Sequence, residues 1–282
     1  MSDSDKLSFE MGGQPLILPV RRKGTGSPAN TRLAKESRAM TQHQQNTYGD
    51  QIAEIYDQLY SDFDPACIDF LAQLAGPGPA LELGIGTGRI ALPLLHRAVP
   101  LEGIDASQAM VTKLRAKPRG AEVEVHIGSF EQFAINRQFR LVYVVFNTFF
   151  NLPGQDEQVR CLESVSRHLS ADGHFVLEAF VPDLSRYVDF QSVRLIGISD
   201  QGIRLDVAQL DPVAQHIESR HLLVSEEGIR TYPVKLRYAW PSELDLMARI
   251  AGLRLQERWG SWSKEPFTRD STKHISVYAR AE

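Results

Sequence analysis

The stretch Leu81–Leu94, LELGIGTGRIALPL, decides the fold. Its glycines Gly84, Gly86 and Gly88 alternate with other residues, between a short apolar run and an apolar segment with helical spacing. Glycine lets a backbone turn sharply and approach a ligand without a Cβ clash. The helix start that follows offers unpaired backbone N–H groups and the positive end of the helix dipole. The stretch therefore predicts a strand, a ligand-binding turn and a helix.

An acidic residue ends the next predicted strand. Asp105 closes PLEGID (100–105), 17 residues after Gly88. A carboxylate at this position can accept two hydrogen bonds from a ribose diol, so the glycine loop and Asp105 together indicate a nucleoside cofactor. The dinucleotide fingerprint GxGxxG would need glycine or alanine where this chain has Arg89, which disfavours a nicotinamide cofactor.

Strands and helices alternate along the first half of the chain. The pattern predicts strands at 80–83, 100–105, 122–128, 140–146 and 174–180, with helices at about 88–97, 107–117 and 155–169. Such alternation predicts an α/β fold with a doubly wound parallel sheet, whose ligands lie along the edge formed by the carboxyl ends of the strands.

The alternation of predicted strands and helices stops at about Val193. Four apolar stretches follow without helices between them, and the turn signals DQG, DPVA and EEG separate them. We predict an antiparallel β insertion over 190–240 that lies on the ligand edge. A last helix, with Ser242 as its N-cap, and two closing strands complete the predicted domain.

Composition and charge narrow the class of protein. Residues 1–46 are polar with little periodicity, which predicts a disordered extension before a domain at 47–282, and we expect residues 1–39 to be dispensable. The net charge of −4, without a basic stripe, disfavours nucleic-acid binding. No apolar run approaches the roughly 18 residues of a membrane helix, and no secretory signal is visible, so we expect a cytoplasmic protein.

No metal site is predicted. Cys67 and Cys161 are too few for a disulfide framework or a zinc site. His216 and His221 stand five residues apart on a predicted strand, which places them on opposite faces.

The pattern ExGxGxG at Glu82–Gly88, combined with Asp105, resembles motifs I and II of class I S-adenosylmethionine-dependent methyltransferases. The resemblance covers most of residues 48–280 and implies S-adenosylmethionine as the cofactor. It implies a Rossmann-like seven-stranded sheet of order 3-2-1-4-5-7-6, with strand 7 antiparallel. It also implies that the loop Gly84–Gly88 holds the methionine part of the cofactor and that Asp105 binds the ribose hydroxyls.

Further cofactor contacts follow from the same resemblance. Glu82 would bind a cationic group or order the loop. The remaining contacts are Ala106 and Met110 against adenine, Ser129 and Phe130 at the adenine edge, and Phe146 and Asn147 below the sulfonium. Many members have aspartate where Ser129 stands, which weakens the expected contact to the adenine amino group.

The substrate side is more similar to the amino-sugar N,N-dimethyltransferases of macrolide pathways. The likeness rests on YGDQIAEIYD (48–57), FNTFFNL (146–152) and VLEAFVP (176–182). It gives the catalytic candidates Tyr48, Asn151 and Glu178 and the substrate candidate Tyr56. From the residues themselves we add Tyr60 and His274 as substrate candidates, with Glu178 and His274 as candidate bases for a hydroxyl acceptor. Those enzymes place a histidine where Asn151 stands, and asparagine can only orient a substrate or water. Tyr56 and Tyr60 are either core aromatics or lid contacts, and Glu178 is either functional or bridged to an arginine.

The sequence thus predicts a methyltransferase for a small-molecule acceptor in a biosynthetic pathway, with nitrogen preferred over oxygen. A methyltransferase of protein or peptide amines, or a non-catalytic cofactor-binding module, remains an alternative. We also expect the β insertion to offer a surface for a homodimer. The acceptor, the number of methyl groups added and the oligomeric state are not encoded in any motif we identify.

Overall fold

The structure, a computed structural model, describes residues 49–50, 52–60, 62–200 and 202–281, and the backbone of two short strands before them. Those strands, Glu10–Met11 and Gln14–Pro15, pair antiparallel. The chain divides into two compact units, Met1–Ala39 and Met40–Glu282. Apart from the short strands, the predicted disordered extension lies outside the described residues and stays a prediction.

The second unit contains a seven-stranded sheet and a separate four-stranded sheet. In chain order its strands are β1 (Ala80–Leu83), β2 (Leu101–Asp105), β3 (Glu124–Ile127), β4 (Phe139–Val144), β5 (Leu169–Phe180), β6 (Gln191–Ser199), β7 (Gly202–Asp211), β8 (His216–Ser225), β9 (Gly228–Arg237), β10 (Leu253–Trp259) and β11 (Lys273–Arg280). Its helices are α1 (Tyr56–Leu59), α2 (Ala66–Ala75), α3 (Ala91–His96), α4 (Gln108–Arg115), α5 (Gln155–His168) and α6 (Pro241–Ile250). Single 3₁₀ turns span Gly120–Glu122 and Thr148–Asn151.

The main sheet has the order β3-β2-β1-β4-β5-β11-β10, and β11 runs antiparallel to both of its neighbours. This confirms the predicted Rossmann-like architecture. Every residue of β1 is buried, as are five of the six in β4. Helices cover both faces of the central strands, which explains why the sequence there reads as continuous apolar runs rather than alternation.

The predicted insertion forms the four-stranded sheet, with the antiparallel order β9-β8-β7-β6. Its buried face, which includes Ala208, Leu210 and Ile217, packs into the hydrophobic core of the domain. The edge strand β6 exposes Val193 and Ile198. The homodimer surface expected of this insertion stays a prediction.

The last helix begins earlier than the sequence predicted. Trp240 is its N-cap and Pro241 its first residue, so the assignment of Ser242 as N-cap was wrong. Proline is well suited to the first helical position, because its missing N–H would have no helical partner there and its φ is already helical. No helix among the described residues is long and apolar enough to cross a bilayer.

Candidate active site

The glycine loop between β1 and α3 uses its three glycines in two different ways. Gly84, Gly86 and Gly88 all have positive φ, at 74°, 54° and 80°. A Cβ on Gly84 would lie 2.4 Å from Thr148 Cγ2, and one on Gly88 would lie 2.3 Å from Leu114 Cδ1. A Cβ on Gly86 would meet no atom within 4 Å. The outer glycines therefore permit close packing, whereas Gly86 faces open space where a ligand can approach.

Asp105 joins this loop to the loop after β2. Its Oδ2 accepts a hydrogen bond from the Gly86 N–H at 2.7 Å, and its Oδ1 accepts one from the Ser107 N–H at 2.8 Å. Burial raises the pKa of Asp105 above its ordinary value. A carboxylate offers about four acceptor positions, so these two bonds leave capacity for a diol.

A cavity of about 610 Å³ opens beside this pair of loops. Its volume lies within the range of about 300 to 1,000 Å³ found for ligand sites. One side of it, the loop-side half, is formed by predicted cofactor residues: Gly84, Gly86, Asp105, Ala106, Met110, Ser129 and Phe130. The structure thus brings seven of the predicted cofactor residues together around one cavity.

The other side, the insertion-side half, lies between Asn151 and the inserted sheet. Thr148, Asn151 and Pro153 line it from the segment after β4. Ser219 and Val234, paired across β8 and β9, line it from the insertion. The intervening residues of those strands point to the opposite face of the sheet, are exposed, and also border the cavity. They are Glu218, Arg220, Pro233 and Lys235.

Four predicted cofactor residues do not line the cavity: Glu82, Gly88, Phe146 and Asn147. Glu82 lies beneath the loop, where it accepts a hydrogen bond from the Tyr143 hydroxyl at 2.9 Å. Burial raises the pKa of Glu82 to about 8. Of its two expected roles, this position favours ordering of the loop.

Phe146 and Asn147 form a sharp turn after β4, with φ of 55° and 64°. Glu178 fixes this turn by accepting a hydrogen bond from the Phe146 N–H at 3.0 Å. The same carboxylate binds Trp262 Nε1 at 3.1 Å and Lys273 Nζ at 3.0 Å. Glu178 is buried, outside the cavity, and occupied by three donors. Its position argues against the expected catalytic role, and its cationic partner is a lysine rather than an arginine.

His274 is also outside the cavity. It is fully buried in β11, with Nδ1 2.8 Å from Ser276 Oγ and its ring edge-on to Phe267. Burial lowers its pKa to about 3. This position argues against the expected contact between His274 and the substrate. β11 lies between β5 and β10, and six of its eight residues are buried.

The aromatic candidates differ in their positions relative to the cavity. Tyr48 lies outside the described residues. Tyr56 lines the cavity, whereas Tyr60 packs behind it with ring centroids 5.0 Å apart. The Tyr60 hydroxyl lies 3.3 Å from His221 Nδ1 in the insertion. Asn151 lines the insertion-side half, as its expected role in orienting a substrate requires.

Arg89 is a site residue that the sequence reasoning missed. Its guanidinium lies 3.5 Å from the Phe146 ring centroid, donates to the Tyr56 hydroxyl at 3.3 Å, and donates to the Tyr60 carbonyl at 3.0 Å. It thereby contacts Tyr56, which lines the cavity, together with Tyr60 and Phe146, which lie outside the lining. The sequence signal for Arg89 is its place directly after Gly88, which also disfavours a dinucleotide.

One group among the described residues has the donor types of a metal site. Glu102, Glu124 and His126 offer ligand atoms within 4.8 Å of one another. Arg137 and His126 already contact the two oxygens of Glu102, at 2.6 and 2.9 Å. The group lies on β2 and β3, apart from the residues that line the cavity.

The raised pKa of Glu82 predicts a pH dependence of stability. A folded pKa above the unfolded value means that the folded protein holds a proton that the unfolded chain releases, so stability falls as pH rises from about 4.5 to about 8. We expect Glu82→Gln to remove this loss. Between pH 5.5 and 7.5 the wild-type free energy of unfolding should decline by about 2 to 3 kcal/mol more than that of the variant.

Urea unfolding at the two pH values measures this difference. Glu54→Gln, at an exposed glutamate paired with Lys113, is the matched control and should follow the wild type. Parallel pH dependences in wild type and Glu82→Gln would show that Glu82 is ionised in the folded protein.

Comparisons with known proteins find methyltransferases. Residues 80–173 match the family described as a methyltransferase domain. The chain is 27% identical over 242 residues to the cypemycin N-terminal methyltransferase of a Streptomyces species, covering 83% of this chain and 98% of that protein. It is 28% identical over 142 residues to the dTDP-3-amino-3,6-dideoxy-alpha-D-glucopyranose N,N-dimethyltransferase of Streptomyces fradiae, covering 48% and 55%. The solved CcbJ methyltransferase of Streptomyces caelestis is 38% identical, with a TM-score of 0.80 over 84% of this chain and 99% of that one.

Proposed function

The chain belongs to the class I S-adenosylmethionine-dependent methyltransferases, and from that premise we propose that it methylates an amine nitrogen of a small-molecule acceptor. When bound, S-adenosylmethionine supplies an activated methyl group on a positively charged sulfur. The protein's own contribution is to bind the cofactor, exclude water and align the acceptor nitrogen with that methyl group.

The loop-side half fits this cofactor. Gly86 leaves space for close backbone approach, and Asp105 retains acceptor capacity for the ribose hydroxyls. Ala106 and Met110, at the start of α4, offer an apolar surface for a flat adenine ring. These residues would hold the cofactor as the sequence predicted.

The choice of nitrogen rests on the carboxylates that line the cavity. Among the described lining residues, Asp105 is bonded to two backbone N–H groups, and Glu218 is exposed and paired with Lys235 at 2.7 Å. A hydroxyl acceptor benefits most from a base that contacts it directly, whereas a neutral amine is already a nucleophile. The names of both curated relatives also specify nitrogen acceptors, one on an amino sugar and one at an N-terminus.

A peptide N-terminal amine is the second candidate. It is favoured by the likeness to the cypemycin N-terminal methyltransferase, which extends over 83% of this chain. The cavity volume of about 610 Å³ must hold both the cofactor and the acceptor group, which favours a small acceptor or the end of a chain.

Transfer of labelled methyl from S-adenosylmethionine to a fixed panel of compounds tests the proposal. The panel contains prolinamide, methyl 3-amino-3-deoxyglucoside, an alanine-terminated tetrapeptide, and catechol as the hydroxyl probe. We expect label in one or more amines and none in catechol. Label in catechol alone would overturn the preference for nitrogen, and label in the tetrapeptide alone would favour the peptide alternative.

A further inference from the structure

The cavity runs past the free edge of the inserted sheet. In the order β9-β8-β7-β6, β9 is an edge strand that pairs only with β8. Its consecutive residues Pro233, Val234 and Lys235 all line the cavity. Successive residues of a strand point to opposite faces, so the cavity meets both faces of β9. Because hydrogen-bonded strands leave no passage between them, the cavity joins the two faces around the unpaired edge of β9.

The backbone groups of Lys235 point to this free edge. The carbonyl of Arg237 accepts a hydrogen bond from Gln158 Nε2 of α5 at 2.9 Å, so it points away from β8. Pro233 has no N–H, and proline within a sheet occupies positions that need no ladder hydrogen bond. Alternate residues of an antiparallel strand bond to the partner strand, and the β8–β9 register is uninterrupted. Lys235, halfway between Pro233 and Arg237, therefore directs both its N–H and its carbonyl outward.

The free edge of β9, defined here as Pro233–Lys235, is open to another extended chain. Within the part of the chain that the structure describes, no backbone group outside the β8–β9 pair bonds to Pro233 or Lys235. The α5 contact through Gln158 reaches only Arg237. An edge of this kind presents N–H and carbonyl groups in the pattern that pairs with a further strand. Strand addition to such an edge is a recurring mode of peptide recognition, in which main-chain hydrogen bonds supply affinity.

The cavity also connects this edge to the glycine loop. Asn151 and Thr148, at the two ends of the 3₁₀ turn after β4, both line it. Thr148 adjoins the loop, since a Cβ on Gly84 would lie 2.4 Å from Thr148 Cγ2. A 3₁₀ turn rises about 2 Å per residue, so this turn spans roughly 6 Å. About two residues of an extended peptide cover that distance, at about 3.3 Å each.

We propose that the free edge of β9 binds the extended amide backbone of the acceptor and directs its terminal amine toward the cofactor. Lys235 N–H donates to an acceptor carbonyl, and the carbonyls of Lys235 and Pro233 accept from acceptor N–H groups. This rests on the proposed amine acceptor and narrows it to a peptide. A simple amino sugar has no alternating N–H and carbonyl groups to pair with a strand. Only the end of the peptide has to enter the cavity of about 610 Å³.

A proline substitution tests the edge from the protein side. Lys235→Pro removes one outward N–H and leaves the ladder to β8 intact, as Pro233 does two residues earlier. Lys235→Ala is the matched control, because it loses the same side chain and its ion pair with Glu218 but keeps the N–H. An alanine-terminated tetrapeptide with a C-terminal fluorophore should bind Lys235→Ala about 5- to 10-fold more tightly than Lys235→Pro, with S-adenosylhomocysteine present. Equal affinities would overturn the proposal, provided that both variants bind S-adenosylmethionine like the wild type.

The same hydrogen bonds can be removed from the ligand, which leaves the protein unchanged. Each peptide N–H of the tetrapeptide is replaced in turn by an ester oxygen, which keeps the shape of the chain and deletes one donor. At least one of these esters should bind the wild type about 5- to 10-fold more weakly than the peptide. If every ester binds as tightly as the peptide, the protein does not pair with the peptide backbone and the proposal fails.

Nuclear magnetic resonance observes the edge without any catalysis. In the full-length protein labelled with nitrogen-15 lysine, the Lys235 N–H signal is assigned by its loss in Lys235→Ala. On titration with the tetrapeptide this signal should move downfield and exchange more slowly with deuterium. Lys273, on β11 and outside the cavity lining, is the internal control and should not respond. A Lys235 signal that stays unchanged throughout the titration would contradict docking at this edge.

Failure of this proposal is distinguishable from failure of the proposed function. If the wild type methylates methyl 3-amino-3-deoxyglucoside but does not bind the tetrapeptide, the edge proposal fails and amine methylation stands. If the tetrapeptide binds at Lys235 and no amine of the panel is methylated, the proposed function fails and the edge site stands. Sedimentation velocity tests the other occupant. A change from dimer to monomer in Lys235→Pro, but not in Lys235→Ala, would show that the edge pairs with a second copy of this chain and would overturn the peptide site.

Discussion

Asp105→Ala is expected to weaken the binding of S-adenosylmethionine by at least about 100-fold, or roughly 2.7 kcal/mol. Two effects combine. The variant loses the acceptor for the ribose hydroxyls, and hydrogen bonds to a charged group contribute about 1.5 to 3 kcal/mol each. It also releases the Gly86 and Ser107 N–H groups, which the carboxylate holds at 2.7 and 2.8 Å, so the loop is less well ordered for the ligand.

Isothermal titration calorimetry of the purified protein with S-adenosylmethionine measures this effect, with NADH titrated separately. The variant should remain folded, since most of the core lies elsewhere, although its melting temperature should fall because two N–H groups lose their partner. Asp69→Ala, at an exposed aspartate of α2 paired with Arg97, is the matched control and should bind like the wild type. Equal affinity in Asp105→Ala and wild type would refute the role assigned to Asp105.

Gly86→Ala and Gly84→Ala are expected to impair different properties of the protein. The first should mainly weaken cofactor binding, and the second should mainly destabilise the fold. At Gly86 the new Cβ meets no protein atom, so the fold should lose only about 1 to 2 kcal/mol from the left-handed backbone. That Cβ stands where the methionine part of the cofactor is expected, so affinity for S-adenosylmethionine should fall by about 10-fold or more. At Gly84 the Cβ would overlap Thr148 Cγ2, and the fold itself should lose about 2 to 4 kcal/mol.

Urea unfolding and calorimetry together separate the two variants. The double variant Gly84→Ala with Thr148→Ser removes Cγ2, the atom that the new Cβ would overlap, and should recover part of the lost stability. If the double variant recovers no stability, backbone strain rather than the overlap with Thr148 causes the stability loss in Gly84→Ala. Normal cofactor affinity in Gly86→Ala would place the ligand elsewhere.

Sequence reasoning was most direct for features that depend on local backbone chemistry. The glycine loop and Asp105 are each defined by a strand end and a turn, and residue type and spacing identify such features. The seven-stranded sheet followed from the alternation of strands and helices. The inserted antiparallel sheet was visible because four apolar stretches follow one another without a helical pattern.

It failed where a side chain's role depends on distant partners. Glu178 looked functional because it is an acid in an apolar strand, yet Phe146, Trp262 and Lys273 occupy its oxygens. His274 is enclosed because β11 inserts between β5 and β10. Tyr60 and His221 are 161 residues apart and meet only through the packing of the insertion on the domain.

The sequence by itself determined the fold, the position of the glycine loop and the acid after β2, because hydrophobic periodicity and glycine spacing are properties of neighbouring residues. Tertiary structure alone decided which carboxylates and histidines face the cavity and which are held in the core. The reason is physical. A polar side chain's role depends on its burial and on the partners that satisfy its hydrogen bonds, and in this protein those partners come from strands and loops far away in the chain.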